Sequence, residues 1–336
     1  MTIRLRSSIA SVGLALSLSL SVVPAFAVDG TSGSTPTPNV TCALHPAAPI
    51  SSFGATPAVA TPIASPVIAT PVVATPMASP VSPVVATPIA ENDEVEASPL
   101  DKDLAAAATS ILDCMSENNA DVLTGITSAD FRGSWLGLGG PINNEDLAAL
   151  LPLMPQLPYD LVSVQNSTSN SDTATTEITY TAGNHLITAT WDFTRVKVDG
   201  SEVWRVDAEE IVPTAAPEGA ATVKVTLADG SITFKPATVT GENVVLEVTN
   251  TGKQPHEILI LRVPNGMDVG EILAAPTGIP ADATFIAQSS VPAGESGTVV
   301  LTGLRPGTYT VLDLLPDDTG MPNAAGGMVT TFKVGE

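Results

Sequence analysis

The chain has 336 residues, with 13 basic and 35 acidic side chains and a formal charge of -22. That length suits two ordinary domains plus non-globular sequence, and that charge repels phosphate backbones and anionic head groups, which argues against nucleic-acid partners. Aromatic residues make up only 4%, so each folded unit must rely on β-branched and aliphatic side chains.

The chain opens with a short basic stretch, Arg4 and Arg6, then an apolar run from Val12 to Val23 and Pro24-Ala25-Phe26-Ala27. This is the layout of a secretory signal peptide over 1–27, cleaved after Ala27, and it predicts an exported protein of the envelope or exterior. An uncleaved anchor is the alternative. The apolar run is short for a membrane span, and no later segment has the length or hydropathy for one.

Residues 28–98 are rich in Ser, Thr, Pro, Ala and Val, with prolines at 57, 62, 66, 71, 76, 80, 83 and 88. Fixed φ angles and missing N–H groups exclude helix and paired strand, which predicts an extended disordered linker. Two cysteines, Cys42 and Cys114, lie on either side of the proline repeat. An even count in an exported chain predicts one disulfide, with two separate thiols as the alternative.

From Pro99 the pattern becomes globular. Leu104, Ala108, Ile111, Leu112 and Met115 share a helical face, with Asp101 or Asp103 as the expected cap. Asn143 starts a second helix. Strands are expected over 159–164, 175–181, 185–198 and 203–212. In the third, Ile187, Ala189, Trp191 and Phe193 alternate, and Val196 and Val198 then take the opposite parity, which predicts a bulge or bend. Asp199-Gly200 marks a hairpin turn. Helices followed by a bent sheet make an α+β unit over 99–213. Through the helical start, the long bent hairpin and the closing Glu202-Val203-Trp204-Arg205-Val206-Asp207, this unit resembles the NTF2-like (SnoaL-like) cone fold. That resemblance implies a pocket between sheet and helix, and some members are enzymes with pocket Asp and His residues. Asp130, His185 and Asp192 are candidates by residue type alone. His185 follows Gly183-Asn184 and is expected to be exposed in a turn, and Trp135, Trp191 and Trp204 to lie in the core.

Thr214–Ala220 reads as a linker. Beyond it, expected strands over 222–227, 231–233, 244–250, 257–263, 297–302, 307–314 and 329–334, with a short helix over 267–275, predict an all-β sandwich. The pieces Phe234-Lys235-Pro236, Val244 to Asn250, Pro255-His256-Glu257, Leu304 to Tyr309 and Gly327-Met328-Val329 resemble the cupredoxin family over 220–336. The resemblance implies a Greek-key sandwich whose loops gather two His, one Cys and one Met around copper. His256 and Met328 match the first His and the axial Met, while Asp313 stands where the Cys is expected and Asn323 where the second His is expected. The resulting expectation is an exported binding or scaffold protein, non-enzymatic, whose cupredoxin-like domain has lost type 1 copper. It needs no cofactor, and its partner is an unidentified extracellular or envelope molecule. In that case His256 hydrogen-bonds at the sandwich end with Asp313. Two alternatives stand beside it. In one, His256, Asp313 and Met328 hold copper in a noncanonical site. In the other, the NTF2-like pocket binds a small molecule or turns it over.

Overall fold

The computed structural model describes residues 42–49, 97–264, 267–275 and 279–336. The expected signal peptide, and the Pro-rich tract apart from 42–49 and 97–98, lie outside the described residues.

The first unit begins with four helices: α1 (Pro99–Ser116), α2 (Ala120–Ile126), α3 (Ala129–Trp135) and α4 (Asn144–Leu150). Ser98, rather than Asp101 or Asp103, caps α1. Its hydroxyl accepts the Asp101 N–H at 3.0 Å, and the Asp101 carboxylate accepts the Ser98 N–H at 3.0 Å, so two otherwise unpaired donors are satisfied reciprocally. Asp103 is buried and accepts the Trp204 indole N–H at 2.6 Å and the Ala48 N–H at 2.9 Å. It is therefore an anchor between helix, sheet and the 42–49 segment. The short helices α2 and α3 were not expected, because seven residues show little periodicity. Each has a side-chain cap, Asn119 and Ser128.

Four antiparallel strands follow: β1 (Tyr159–Asn170), β2 (Thr173–Ala182), β3 (His185–Val198) and β4 (Ser201–Val212). The irregularity expected within β3 lies instead on its partner: Asp192 pairs with Ala208 but Phe193 pairs with Val206, leaving Asp207 as the extra residue on β4. Asp199 and Gly200 both have positive φ, 51° and 84°, as a two-residue turn matched to strand twist requires. Leu104, Ile111, Leu112 and Met115 of α1 pack with Trp191, Phe193 and Trp204 of the sheet in one buried cluster. Residues 42–49 lie along β4: Ala47 N–H donates to the Glu202 carbonyl at 2.8 Å, and Cys42 and Cys114 form a disulfide.

The second unit is a sandwich. Its strands are β5 (Ala221–Ala228), β6 (Ser231–Lys235), β7 (Thr238–Thr240), β8 (Val244–Asn250), β9 (His256–Arg262), β10 (Thr284–Val291), β11 (Ser296–Leu301), β12 (Gly307–Leu312) and β13 (Val329–Gly335), with α5 (Val269–Leu273) between β9 and β10. One layer runs β6-β5-β8-β11 and the other β10-β9-β12-β13-β7. Val223, Val225, Leu246, Val248, Ile258, Ile260, Val311 and Phe332 fill the space between them. Strands β7 and β10 were not expected.

The two units share a sheet. β11 pairs with β3 through Val300–Leu186 and Leu301–His185, so eight strands run as one sheet across both. A further cluster joins Leu157 and Tyr159 of the first unit to Leu259, Leu261, Ile272 and Phe285 of the second.

Candidate functional site

The sandwich end that holds His256 is built by three loops. The first follows β8. Asn250 is buried and ties this loop down: its amide donates to the Gln254 and Val291 carbonyls at 2.8 Å each, and its side-chain oxygen accepts the Gly252 N–H at 2.8 Å. The loop delivers His256 as the first residue of β9, with only 1% of its surface exposed. The second loop follows β12, so Asp313 lies just past the strand that pairs with β9. The third is a single 3-10 turn, Asn323–Gly326, which leads through Met328 into β13.

These loops bring the four resemblance-derived positions together. His256 Nδ1 lies 2.7 Å from Asp313 Oδ2, and Asn323 Nδ2 donates to that same oxygen at 3.1 Å. The other Asp313 oxygen accepts the Leu315 N–H at 2.9 Å. Met328 is fully buried in the sandwich core; its carbonyl accepts the Asp313 N–H at 3.2 Å and its N–H donates to the Asn323 carbonyl at 3.1 Å. On the far side of the ring, His256 Nε2 lies 3.2 Å from Asp229 Oδ1, in the β5–β6 turn. Asp229 is half exposed and also accepts the Lys253 N–H at 2.9 Å.

The chemistry of this set follows from its bonds. Burial pushes the Asp313 carboxyl above the usual carboxylate range, against the opposing pull of the His256 hydrogen bond. The Lys253 N–H, followed by His256, pulls the exposed Asp229 carboxyl down. His256 Nδ1 is engaged by Asp313 Oδ2 at 2.7 Å. The Asp313 oxygen is already shared by two donors. Both cysteine sulfurs are held in the disulfide and offer no thiolate. Among the described residues, no group of three or more His, Cys, Asp or Glu side chains is placed to hold a metal ion.

Sequence reasoning missed Glu257. It is fully buried, accepts the Gln288 amide at 2.7 Å and the Leu314 N–H at 2.8 Å, and burial pushes its carboxyl up to about 7, with Asp313 adding to the rise. The available signal was its setting: His256-Glu257-Ile258-Leu259-Ile260-Leu261 is apolar on both alternating faces, so a Glu there is enclosed whichever way it points.

In the first unit, the three residues proposed by type do not meet. Asp130 and Asp192 are exposed, and Asp192 accepts the Thr175 hydroxyl at 2.7 Å. His185 is buried, not turn-exposed, because the second unit covers its turn. Asn184 donates to the Ile286 carbonyl through its backbone at 2.7 Å and to the Thr302 carbonyl through its side chain at 2.8 Å. Burial lowers the His185 imidazole to about 4, and its ring hydrogen-bonds the Gln288 backbone. Beside it, Trp135, Tyr159, Tyr180 and Glu209 surround a cavity of about 30 Å³. The Tyr180 hydroxyl and the Trp191 indole both donate to Glu209 at 2.9 Å, and burial raises the Glu209 carboxyl. That volume holds one or two waters and no organic substrate.

No family model and no curated protein matches the chain. Solved structures do. Dithionite-reduced auracyanin from Roseiflexus castenholzii is 28% identical over 35% of this chain and 100% of its own, with a TM-score of 0.26. Auracyanin A, a blue copper protein from Chloroflexus aurantiacus, is 19% identical over 34% and 99%, with a TM-score of 0.27. A multicopper oxidase is 13% identical over 46% of this chain and 57% of its own, with a TM-score of 0.23.

Proposed function

We propose that this is an exported, non-catalytic binding or scaffold protein. Its C-terminal sandwich is cupredoxin-like, with the type 1 copper ligands exchanged for a hydrogen-bonded His256–Asp313–Asn323 network. The observation that carries this reading is the shared Asp313 oxygen. A carboxylate stands at the thiolate position, and its bonds run to the residues at the two histidine positions. A hard oxygen in place of the soft sulfur removes the donor on which blue-copper chemistry depends. The basic-then-apolar leader and the disulfide support export, and no helix among the described residues is long and apolar enough to cross a membrane. Four helices followed by a bent four-stranded sheet support the NTF2-like reading of the first unit. Its partner is then an extracellular or envelope molecule.

The test is a copper(II) titration of the mature chain, followed by absorption and EPR. The wild type is expected to leave the spectra of free copper unchanged. The double variant Asp313→Cys with Asn323→His is expected to take up one equivalent and gain an intense thiolate-to-copper band. Stoichiometric copper on the wild type that disappears in His256→Ala would overturn the reading.

A further inference from the structure

Residues 42–49 form a strap in a groove between α1 and the edge of β4 that faces away from β3. Pro46 makes an antiparallel bridge with Val203, and the Ala47 N–H donates to the Glu202 carbonyl at 2.8 Å. The Ala48 N–H donates to Asp103 at 2.9 Å, and the Ala48 carbonyl accepts from Arg195 at 2.5 Å. Farther back, the Cys42 N–H donates to Glu117 at 3.3 Å, and the Ala43 carbonyl accepts the Ser110 hydroxyl. Every one of these bonds ends on a main-chain atom of the strap. Leu44 and Ala47 lie partly buried against the core of the first unit, and the His45 ring stands 3.7 Å from Asp103.

Docking through the main chain reads the spacing of N–H and C=O groups, and reads side chains only where they meet a wall. The strap offers a proline, which has no N–H to leave unpaired at the bridge, then two residues whose N–H groups are both used. The sequence repeats that order. Each of the eight prolines at 57, 62, 66, 71, 76, 80, 83 and 88 is followed by an apolar residue and then by a second residue that carries an N–H. Pro46-Ala47-Ala48 is thus one member of a series, and Pro76-Met77-Ala78 is another. What sets the first apart is Cys42, four residues before its proline, whose disulfide to Cys114 holds it in the groove.

We propose that this groove is a docking site for the chain's own Pro-apolar repeats over 56–90, and that residues 42–49 are the occupant the disulfide selects. Opening the bridge takes two electrons and two protons from a dithiol, which becomes a disulfide while Cys42 and Cys114 become thiols. The strap then competes with eight segments of the same main-chain order. All of them are tied to the same molecule, so effective concentration favours them over the segments of a second copy. This site lies in the first unit, separate from the His256 network, and holds whatever the fate of copper there.

Disulfide trapping in the full mature chain tests the register. Cys42→Ser removes the resident thiol, and Val72→Cys supplies one four residues before Pro76, the spacing that Cys42 has before Pro46. In a glutathione redox buffer this double variant is expected to form an intramolecular bridge to Cys114, read by non-reducing peptide mapping. Cys42→Ser with Ala74→Cys, two residues before the same proline, should bridge at least ten-fold more slowly. A second variant keeps the native bridge, so the result does not depend on how well the unbridged chain folds. Ala47→Pro with Ala48→Pro removes both strap donors, and a fluorescent peptide of residues 74–80 should bind that chain at least ten-fold more tightly than wild type, read by anisotropy. Equal bridging rates from positions 72 and 74, bridges between two chains in place of one, or equal peptide affinity for the double-proline variant and wild type would each overturn the proposal.

Discussion

Replacing Glu257 with Gln should change how the protein's stability depends on pH. Folded, this carboxyl titrates near 7; in an open chain it titrates at the ordinary 4.5. Below 4.5 it is protonated in both states and costs nothing. Between 4.5 and 7 the unfolded chain ionises while the folded one holds its proton, so stability falls as pH rises. Above 7 the full penalty is present. At about 1.4 kcal/mol per pH unit this amounts to about 3 kcal/mol. Glu257 is fully buried, so solvent does little to screen it. His185 slopes the other way: its imidazole is lowered from 6.5 to about 4, so its contribution is complete above 6.5 and is lost as pH falls toward 4. The two slopes oppose each other through the acid range and flatten the wild-type profile. The amide introduced by the substitution keeps an acceptor for the Leu314 N–H. Gln288 Oε1, which has no partner, can accept from that amide once the Gln288 side chain rotates. E257Q should therefore gain stability over wild type progressively from pH 4.5, reaching about 3 kcal/mol above pH 7, a midpoint shift of about 1 M urea for an m-value of about 3 kcal/mol/M. Urea denaturation followed by far-UV circular dichroism at half-unit pH steps measures it. Parallel pH profiles for variant and wild type would refute the reasoning.

Two further perturbations test the surroundings. Gly252→Ala places a Cβ 2.8 Å from His256 Nε2, and closer still to Asp229. It should cost about 1–3 kcal/mol by crowding and shift the His256 ring nitrogen resonances, so an unchanged spectrum would show that the loop gives way freely. Converting Cys42 and Cys114 to Ser opens a covalent loop with a sequence separation of 72, and by chain entropy should lower stability by about 4 kcal/mol in urea denaturation.

What was legible in the sequence was what repeats. The α1 face showed in five apolar residues at helical spacing, and all five are buried. The β3–β4 hairpin showed in a parity change and an Asp-Gly turn. Elements that depend on another part of the chain were not legible. β10 runs Thr-Phe-Ile-Ala-Gln-Ser-Ser-Val, and its polar residues read as loop until β9 pairs with them and the first unit packs over them. His185 looked exposed because Gly183-Asn184 is a turn; Thr302, more than a hundred residues later, closes over it. At the sandwich end, the identities of Asp313 and Asn323 could be read from position. That both bond through one carboxylate oxygen could not, since it depends on two loops converging. Asp229 and Glu257 entered the site the same way, from a turn and from the opposite strand face.

The Cys42–Cys114 bridge also sets how force travels through the molecule. A pull applied to the chain before Cys42 crosses directly into α1 through sulfur and reaches the core at Cys114 without passing along residues 43–113. The intervening tract carries none of that load, whatever its length or composition. While the bridge stands, a tether on the N-terminal side therefore ends at Cys42. Once it is reduced, the tension falls on the few contacts of residues 43–49. The redox state of one bond thus decides whether a pull from the N-terminal side is borne by the hydrophobic core through Cys114 or by the contacts of residues 43–49.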